Sequence, residues 1–305
     1  MNATLRHFAK GTLLSAGHYH RALGRTRFPG VAVLSYHGLR ADEWSDAAMA
    51  QGFLHVRAST FEAHCRLVRE TCDPISLDQW REARAGTRHL PARPVLFTFD
   101  DGYRSVLTIA APILAKYELP AVVFCCSAPN EERRLHWWDH VAASEGEEAI
   151  EGWKDRPYED WLASCALRAP VANDADPRAT LTPAEIGNLS RQPGVEIGAH
   201  TARHPILARA STARQRAEIA DNQDALGRWT GRPVRALAYP NGRPRVDYDA
   251  ATLDILHDLN FDFAFTIHGG FSRAEDPPFE YPRFLMQADV TTREFAHRLA
   301  YSWLR

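Results

Sequence analysis

The chain has 305 residues, 45% of them hydrophobic and 24% charged, with a formal net charge of -2. That size suits one large or two small soluble globular domains. A near-neutral balance gives no electrostatic case for nucleic acid or an anionic membrane as the main partner. No stretch reaches the roughly 20 apolar residues of a membrane span.

Residues 1–29 read as a helical extension carrying Arg6, Lys10, Arg21, Arg25 and Arg27. This segment has neither a sustained apolar core nor a small-residue cleavage site, so no cleaved leader is expected. A packed or solvated helix is the first reading, and a helix resting on a membrane surface is the second. The five cysteines, Cys65, Cys72, Cys125, Cys126 and Cys165, form no C-x-x-C pair. Reduced, buried thiols are expected rather than disulfides. Together these features point to a cytoplasmic chain, with peripheral contact to the inner membrane through the extension.

From residue 30 onward, short apolar runs alternate with helical stretches. Val31 to Tyr36 predicts a strand ending at His37. Thr60 to Thr71 predicts a helix capped by Ser59 or Thr60. Pro94 to Phe99 is a strand running into Asp100, Val106 to Tyr117 a helix, and Ala121 to Cys126 a third strand. Residues 127–191 break the rhythm. They hold His136-Trp137-Trp138-Asp139-His140 and an acidic stretch, and they are too long for a plain connection. A helical insertion above the sheet edge is expected, either as a hydrophobic mini-core or as a substrate-binding element. Val195 to Ala199 is a strand ending at His200, followed by a helix over Thr212 to Trp229. Val234 to Tyr239 is a strand, Asp249 to Leu259 a helix, Phe261 to Thr266 and Tyr281 to Met286 the last strands, and Thr292 to Leu304 a closing helix. Unbroken apolar strands alternating with helices predict a parallel sheet buried on both faces.

His37, Asp100, Asp101, His200 and Asn241 all fall at C-terminal strand ends, where α/β folds build active sites. Asp100-Asp101-Gly102 is good turn chemistry on its own. His200 and His204 have the spacing of neighbours on a helical turn. Taken together, one carboxylate and two imidazoles make a three-ligand set for a divalent ion. The second carboxylate is left to accept a proton from water.

These residues resemble the polysaccharide deacetylase family, the nodulation-type domain of carbohydrate esterase family four. Thr98 to Gly102 matches its T-F-D-D-G motif, and His200, Thr201 and His204 match H-[ST]-x-x-H. The resemblance covers roughly Val31 to Arg283 and implies an α/β fold, a distorted (β/α) barrel of about seven strands. It makes Asp100 the general base and Asp101, His200 and His204 the metal ligands. Zinc is the usual ion, and cobalt or nickel also suits such a site. Tyr239-Pro240-Asn241-Gly242 stands at the third motif, so the Tyr239 backbone is expected to serve an oxyanion hole. The family's late L-x-H motif has no clear match. His37, in Ser35-Tyr36-His37-Gly38, resembles the Y-H motif of a permuted subgroup that includes poly-N-acetylglucosamine deacetylases, and it is the favoured general acid over His268. Arg283, in Tyr281-Pro282-Arg283, resembles that subgroup's L-P-R segment and is placed to hold Asp100 ionised. The implied reaction is metal-dependent removal of N-acetyl groups from an oligosaccharide, a polysaccharide or a sugar-lipid precursor. A deformylase or esterase on a related sugar, and a non-catalytic carbohydrate-binding domain, are the rival readings.

Overall fold

The computed structural model describes residues 17–44, 50–164, 166–173 and 176–301. Seven parallel strands form the frame: β1 Ala32–Tyr36, β2 Pro94–Phe99, β3 Ala121–Cys125, β4 Val195–Ala199, β5 Ala236–Ala238, β6 Phe263–Phe265 and β7 Phe284–Leu285. Their order across the sheet is β7-β1-β2-β3-β4-β5-β6, curled into a half-barrel. Phe265 bridges Tyr281 just before β7, and Phe284 and Leu285 pair with Leu34 and Ser35 of β1, so one segment ties the two edges together. This is the expected (β/α) arrangement of seven strands.

Side chains alternate across each strand, and that period of two builds two apolar layers. Val33, Leu96, Val122, Phe124, Ala236, Ala238, Phe263 and Phe265 fill the interior. Leu34, Phe97, Val123, Ile197, Leu237 and Ala264 face the surrounding helices. The interior-facing set, followed toward the C-terminal ends, leads from Val33 to Ser35 and His37, from Leu96 to Thr98 and Asp100, and from Gly198 to His200. Strand register alone therefore delivers His37, Asp100 and His200 to one mouth.

Several elements differ from the sequence reading. The helix after β2 opens with a π-helical stretch, Val106–Ala110, before Ala111–Lys116. The helix expected from Thr60 runs Ala58–Thr71 without a side-chain cap, and the Ser59 hydroxyl bonds Asp42 instead. A Leu77–Arg84 helix carries a Ser76–Gln79 capping box. Its Arg81 grips Glu196 at 2.8 and 2.5 Å and Asp262 at 3.0 Å, closing the end of the barrel opposite the site. The part of the extension that is described, His18–Arg25, buries Tyr19 and Leu23 in the main core. Cys65, Cys72, Cys125 and Cys126 are free and buried, and Cys165 lies outside the described residues. Among the described residues no helix is long and apolar enough to cross a membrane.

The insertion forms short helices at Ser127–Glu132, Trp137–Glu145, Ala149–Lys154, Tyr158–Ser164 and Pro183–Leu189. Trp137, Trp138, Val141, Ile150, Tyr158 and Trp161 pack with Tyr103 into a separate mini-core.

Gly198 is dictated by space: a Cβ there would stand 2.3 Å from Phe124 Cδ1 and 3.2 Å from Ala236 O. Phe124 is buried in the interior and has no free direction in which to move. Gly198→Ala is expected to destabilise the fold by about 1–3 kcal/mol, measured as a lowered midpoint of thermal unfolding.

Candidate metal centre and catalytic cavity

A cavity of about 260 Å³ opens at the C-terminal ends of the strands. It brings together His37, Asp100, Asp101, His200, His204, Tyr239, Asn241 and Arg283. His268, the second candidate acid, is exposed and does not line it. Two larger hollows, of about 640 and 680 Å³, lie at the opposite end and around the Ala111–Lys116 helix, away from this cluster.

Asp100 continues β2, its amide donating to Tyr36 O at 2.9 Å. Its carboxylate is 3% exposed and receives a bidentate grip from Arg283, Nη1 to Oδ1 at 2.8 Å and Nη2 to Oδ2 at 2.7 Å. Arg283 is itself aimed by Thr266 O and the Thr98 hydroxyl, and Ser35 Oγ donates to Asp100 Oδ2 at 3.3 Å. Burial pushes the Asp100 carboxyl up, but the guanidinium overrides it and holds the group below the usual carboxylate range.

Asp101 comes one residue later and should face the helices. Its φ of 71° places it in the left-handed region and turns it back into the mouth. Oδ1 stands 3.3 Å from His200 Nε2 and 3.5 Å from His204 Nε2. One ligand atom from each of the three residues lies within 4.8 Å of the others. Against burial, the surrounding imidazoles, His200 foremost, hold Asp101 well below the ordinary range.

The histidines do not share a helical turn, as their spacing suggested. Residues 200–206 are irregular, and Thr201 and His204 adopt φ of 64° and 62°. Two left-handed residues, three positions apart, fold the loop so that the rings meet, their centroids 4.8 Å apart. Each such non-glycine residue costs on the order of 1–3 kcal/mol and persists only where the surroundings hold it. The His204 amide donates to Thr201 Oγ1 at 3.0 Å, which closes the turn. His200 Nδ1 donates to Ala238 O at 2.7 Å, leaving Nε2 as the free donor atom. Burial first, then the neighbouring His200, pushes the His204 imidazole well below its usual value, which keeps it neutral and able to ligate.

These residues fit a divalent ion on the donor set alone. Donors about 2.0–2.2 Å from a shared tetrahedral ion stand about 3.3–3.6 Å apart, and the two carboxylate–imidazole separations, 3.3 and 3.5 Å, match. Asp101 Oδ1 is also a buried atom without a well-formed hydrogen bond, which suits a ligand oxygen.

The Tyr239 amide donates to Phe265 O at 3.2 Å, a bond it would have to give up to serve an oxyanion. The Tyr239 side chain stacks on Tyr248 at 3.8 Å and donates to Phe279 O. Its part in the site is to form the wall.

The sequence reading missed Ser35, Gln51, Lys154 and Gln287, which also line the cavity. Ser35 and Thr98 carried a readable sign: each is the lone polar residue in an apolar strand, two positions before a site residue. Trp137 and Trp138 of the insertion form another wall, with the Trp138 ring edge-on to His204 at 4.8 Å. The insertion is thus both a mini-core and part of the site.

A parallel half-barrel with an Asp-His-His cluster and a second, arginine-held aspartate at its mouth defines a hydrolase-type α/β barrel with a candidate metal centre. The polysaccharide deacetylase family matches residues 87–264, more than half of the chain, and the chain belongs to that family. The poly-beta-1,6-N-acetyl-D-glucosamine N-deacetylase of Escherichia coli (strain K12) is 24% identical over 278 residues, covering 88% of this chain and 38% of that protein. The chain therefore spans less than two fifths of the curated relatives it matches. The Streptococcus pyogenes deacetylase PplD in complex with acetate has the same fold, with a TM-score of 0.65 at 21% identity over 88% of this chain and 98% of that one. IcaB from Ammonifex degensii also shares it, with a TM-score of 0.63 at 20% identity over 90% and 99%.

Removing Arg283 leaves a buried, unmatched carboxylate, which costs about 3–5 kcal/mol. With its largest counter-charge gone, and only His200 and His37 left against burial, the Asp100 pKa rises. In Arg283→Met the acid limb of the pH–rate profile is therefore expected to move to higher pH, and the midpoint of thermal unfolding to be lowered, the more so as pH rises through the raised Asp100 pKa. An unmoved acid limb would separate Arg283 from Asp100.

Proposed function

We propose that this chain is a metal-dependent hydrolase that removes N-acetyl groups from amino-sugar residues of a polysaccharide or glycolipid precursor. The observation that carries this reading is the meeting of Asp101 Oδ1 with two imidazole Nε2 atoms, beside a second carboxylate that Arg283 keeps ionised. Zinc is the ion that such a nitrogen and oxygen set suits best. The named activity of the Escherichia coli relative makes a poly-N-acetylglucosamine oligomer the first substrate to try.

Asp101, His200 and His204 would hold the ion, which supplies Lewis acidity and lowers the pKa of a water from 15.7 toward about 7. Asp100 takes the proton of the attacking water. Its Oδ1 accepts one hydrogen bond, from Arg283, and so keeps a lone pair for that proton. Ser35 and Thr98 fix the pair from the strand side. His37 ends β1 at the same cavity and its Nδ1 is a buried atom with no hydrogen-bond partner. It is assigned the proton that the leaving amine requires, since an unprotonated amine leaves poorly.

Asp100→Asn is expected to bind zinc like the parent chain and to lose acetate release about 10²–10⁴-fold. His204→Ala is expected to lose the ion, read by elemental analysis after dialysis. His37→Gln is expected to lose far more activity on an N-acetylated oligosaccharide than on an O-acetyl ester, whose leaving alcohol depends less on an acid. Equal losses on both would remove His37 as the acid.

A further inference from the structure

We infer that Glu218 is a positioning residue for the loop that carries His200 and His204, and that it ties this loop to the helical insertion. The inference rests on reading Asp101, His200 and His204 as a metal site.

Glu218 sits in the middle of the Thr212–Thr230 helix and is 4% exposed. A buried carboxylate in a helix normally pairs with a cation, but here hydrogen-bond donors take its two oxygens. Oε2 accepts the Arg203 amide at 2.9 Å, and Oε1 accepts the Tyr158 hydroxyl at 2.7 Å. The Glu218 carbonyl accepts the Ala202 amide at 2.8 Å. One turn on, Asn222 Oδ1 accepts the His200 amide at 3.0 Å, and its Nδ2 donates to Cys125 O at 3.0 Å. Positions four apart share a helix face, so this one face holds three amides of the loop in register with β3.

The insertion supplies the rest. Ala128 donates to Ala202 O at 2.9 Å, and Trp137 Nε1 donates to His204 O at 3.2 Å. Tyr158 reaches the loop through Glu218. The loop needs such holding, because the left-handed backbone at Thr201 and His204 is strained. A carboxylate at 218 accepts from both of its side-chain partners at once, the Arg203 amide and the Tyr158 hydroxyl. Glutamine has the same volume but loses the charge and one acceptor oxygen, so the Tyr158 hydroxyl must give up its bond to a carboxylate and turn to receive an NH₂.

The test uses the full chain, freed of metal and titrated with zinc ions against a chromophoric chelator, beside thermal unfolding of the metal-free protein. Glu218→Gln is expected to bind zinc about 10–100-fold more weakly and to alter the visible absorption band of the cobalt-loaded protein. Tyr158→Phe removes a single hydroxyl and is expected to shift both readouts in the same direction by less. Zinc affinity within twofold of the parent in both variants would overturn the inference. So would an affinity loss that disappears once the unfolded fraction is subtracted, since that marks a merely structural role. A folded parent chain that takes up no zinc would sink the metal reading as well, whereas a zinc-binding parent with unchanged variants would sink this inference alone.

Discussion

A carboxylate taken out of water must be matched by positive charge, and the mouth of this barrel holds two carboxylates side by side. Asp100 is matched from within the chain by the Arg283 guanidinium. The ionic partners of Asp101 among the described residues are two imidazoles. The half with a built-in cation is suited to base chemistry, and the half without one is suited to an ion taken from solution.

That division follows from one backbone step. Strand alternation sends His37, Asp100 and His200 to the interior mouth without any special device. Asp101 has the wrong parity, and only its left-handed conformation returns it to the same side. The loop that carries His200 and His204 uses a device of the same kind, at Thr201 and His204. Left-handed backbone at Asp101, Thr201 and His204 shapes the mouth, and the nearby helix and insertion bond the histidine loop through buried hydrogen bonds. The insertion thus belongs to the site twice, through the aromatic walls of Trp137 and Trp138 and through the bonds that reach the histidine loop.

The sequence made the frame legible because a strand buried on both faces is a short apolar run, and seven such runs stand between helical stretches. The candidate ligands were legible because their motifs are local, T-F-D-D-G and H-T-A-R-H. What could not be read was conformation and long-range partnership. Neither threonine nor histidine announces a left-handed residue as glycine does, so the H-x-x-x-H spacing suggested a helical turn that is not there. Glu218 and Asn222 look like ordinary polar positions on a long helix, since their partners are backbone amides about 15 and 22 residues away. The Tyr239 amide was assigned from its motif, but its engagement in the ladder depends on β6, which pairs with β5 only once the barrel forms.

The most direct test of this account is X-ray absorption at the zinc edge on the zinc-loaded chain. The account predicts a single site with two imidazole nitrogens and one carboxylate oxygen at about 2.0–2.2 Å, completed by a light oxygen donor. A spectrum with sulfur ligands, or one without imidazole scattering, would contradict it.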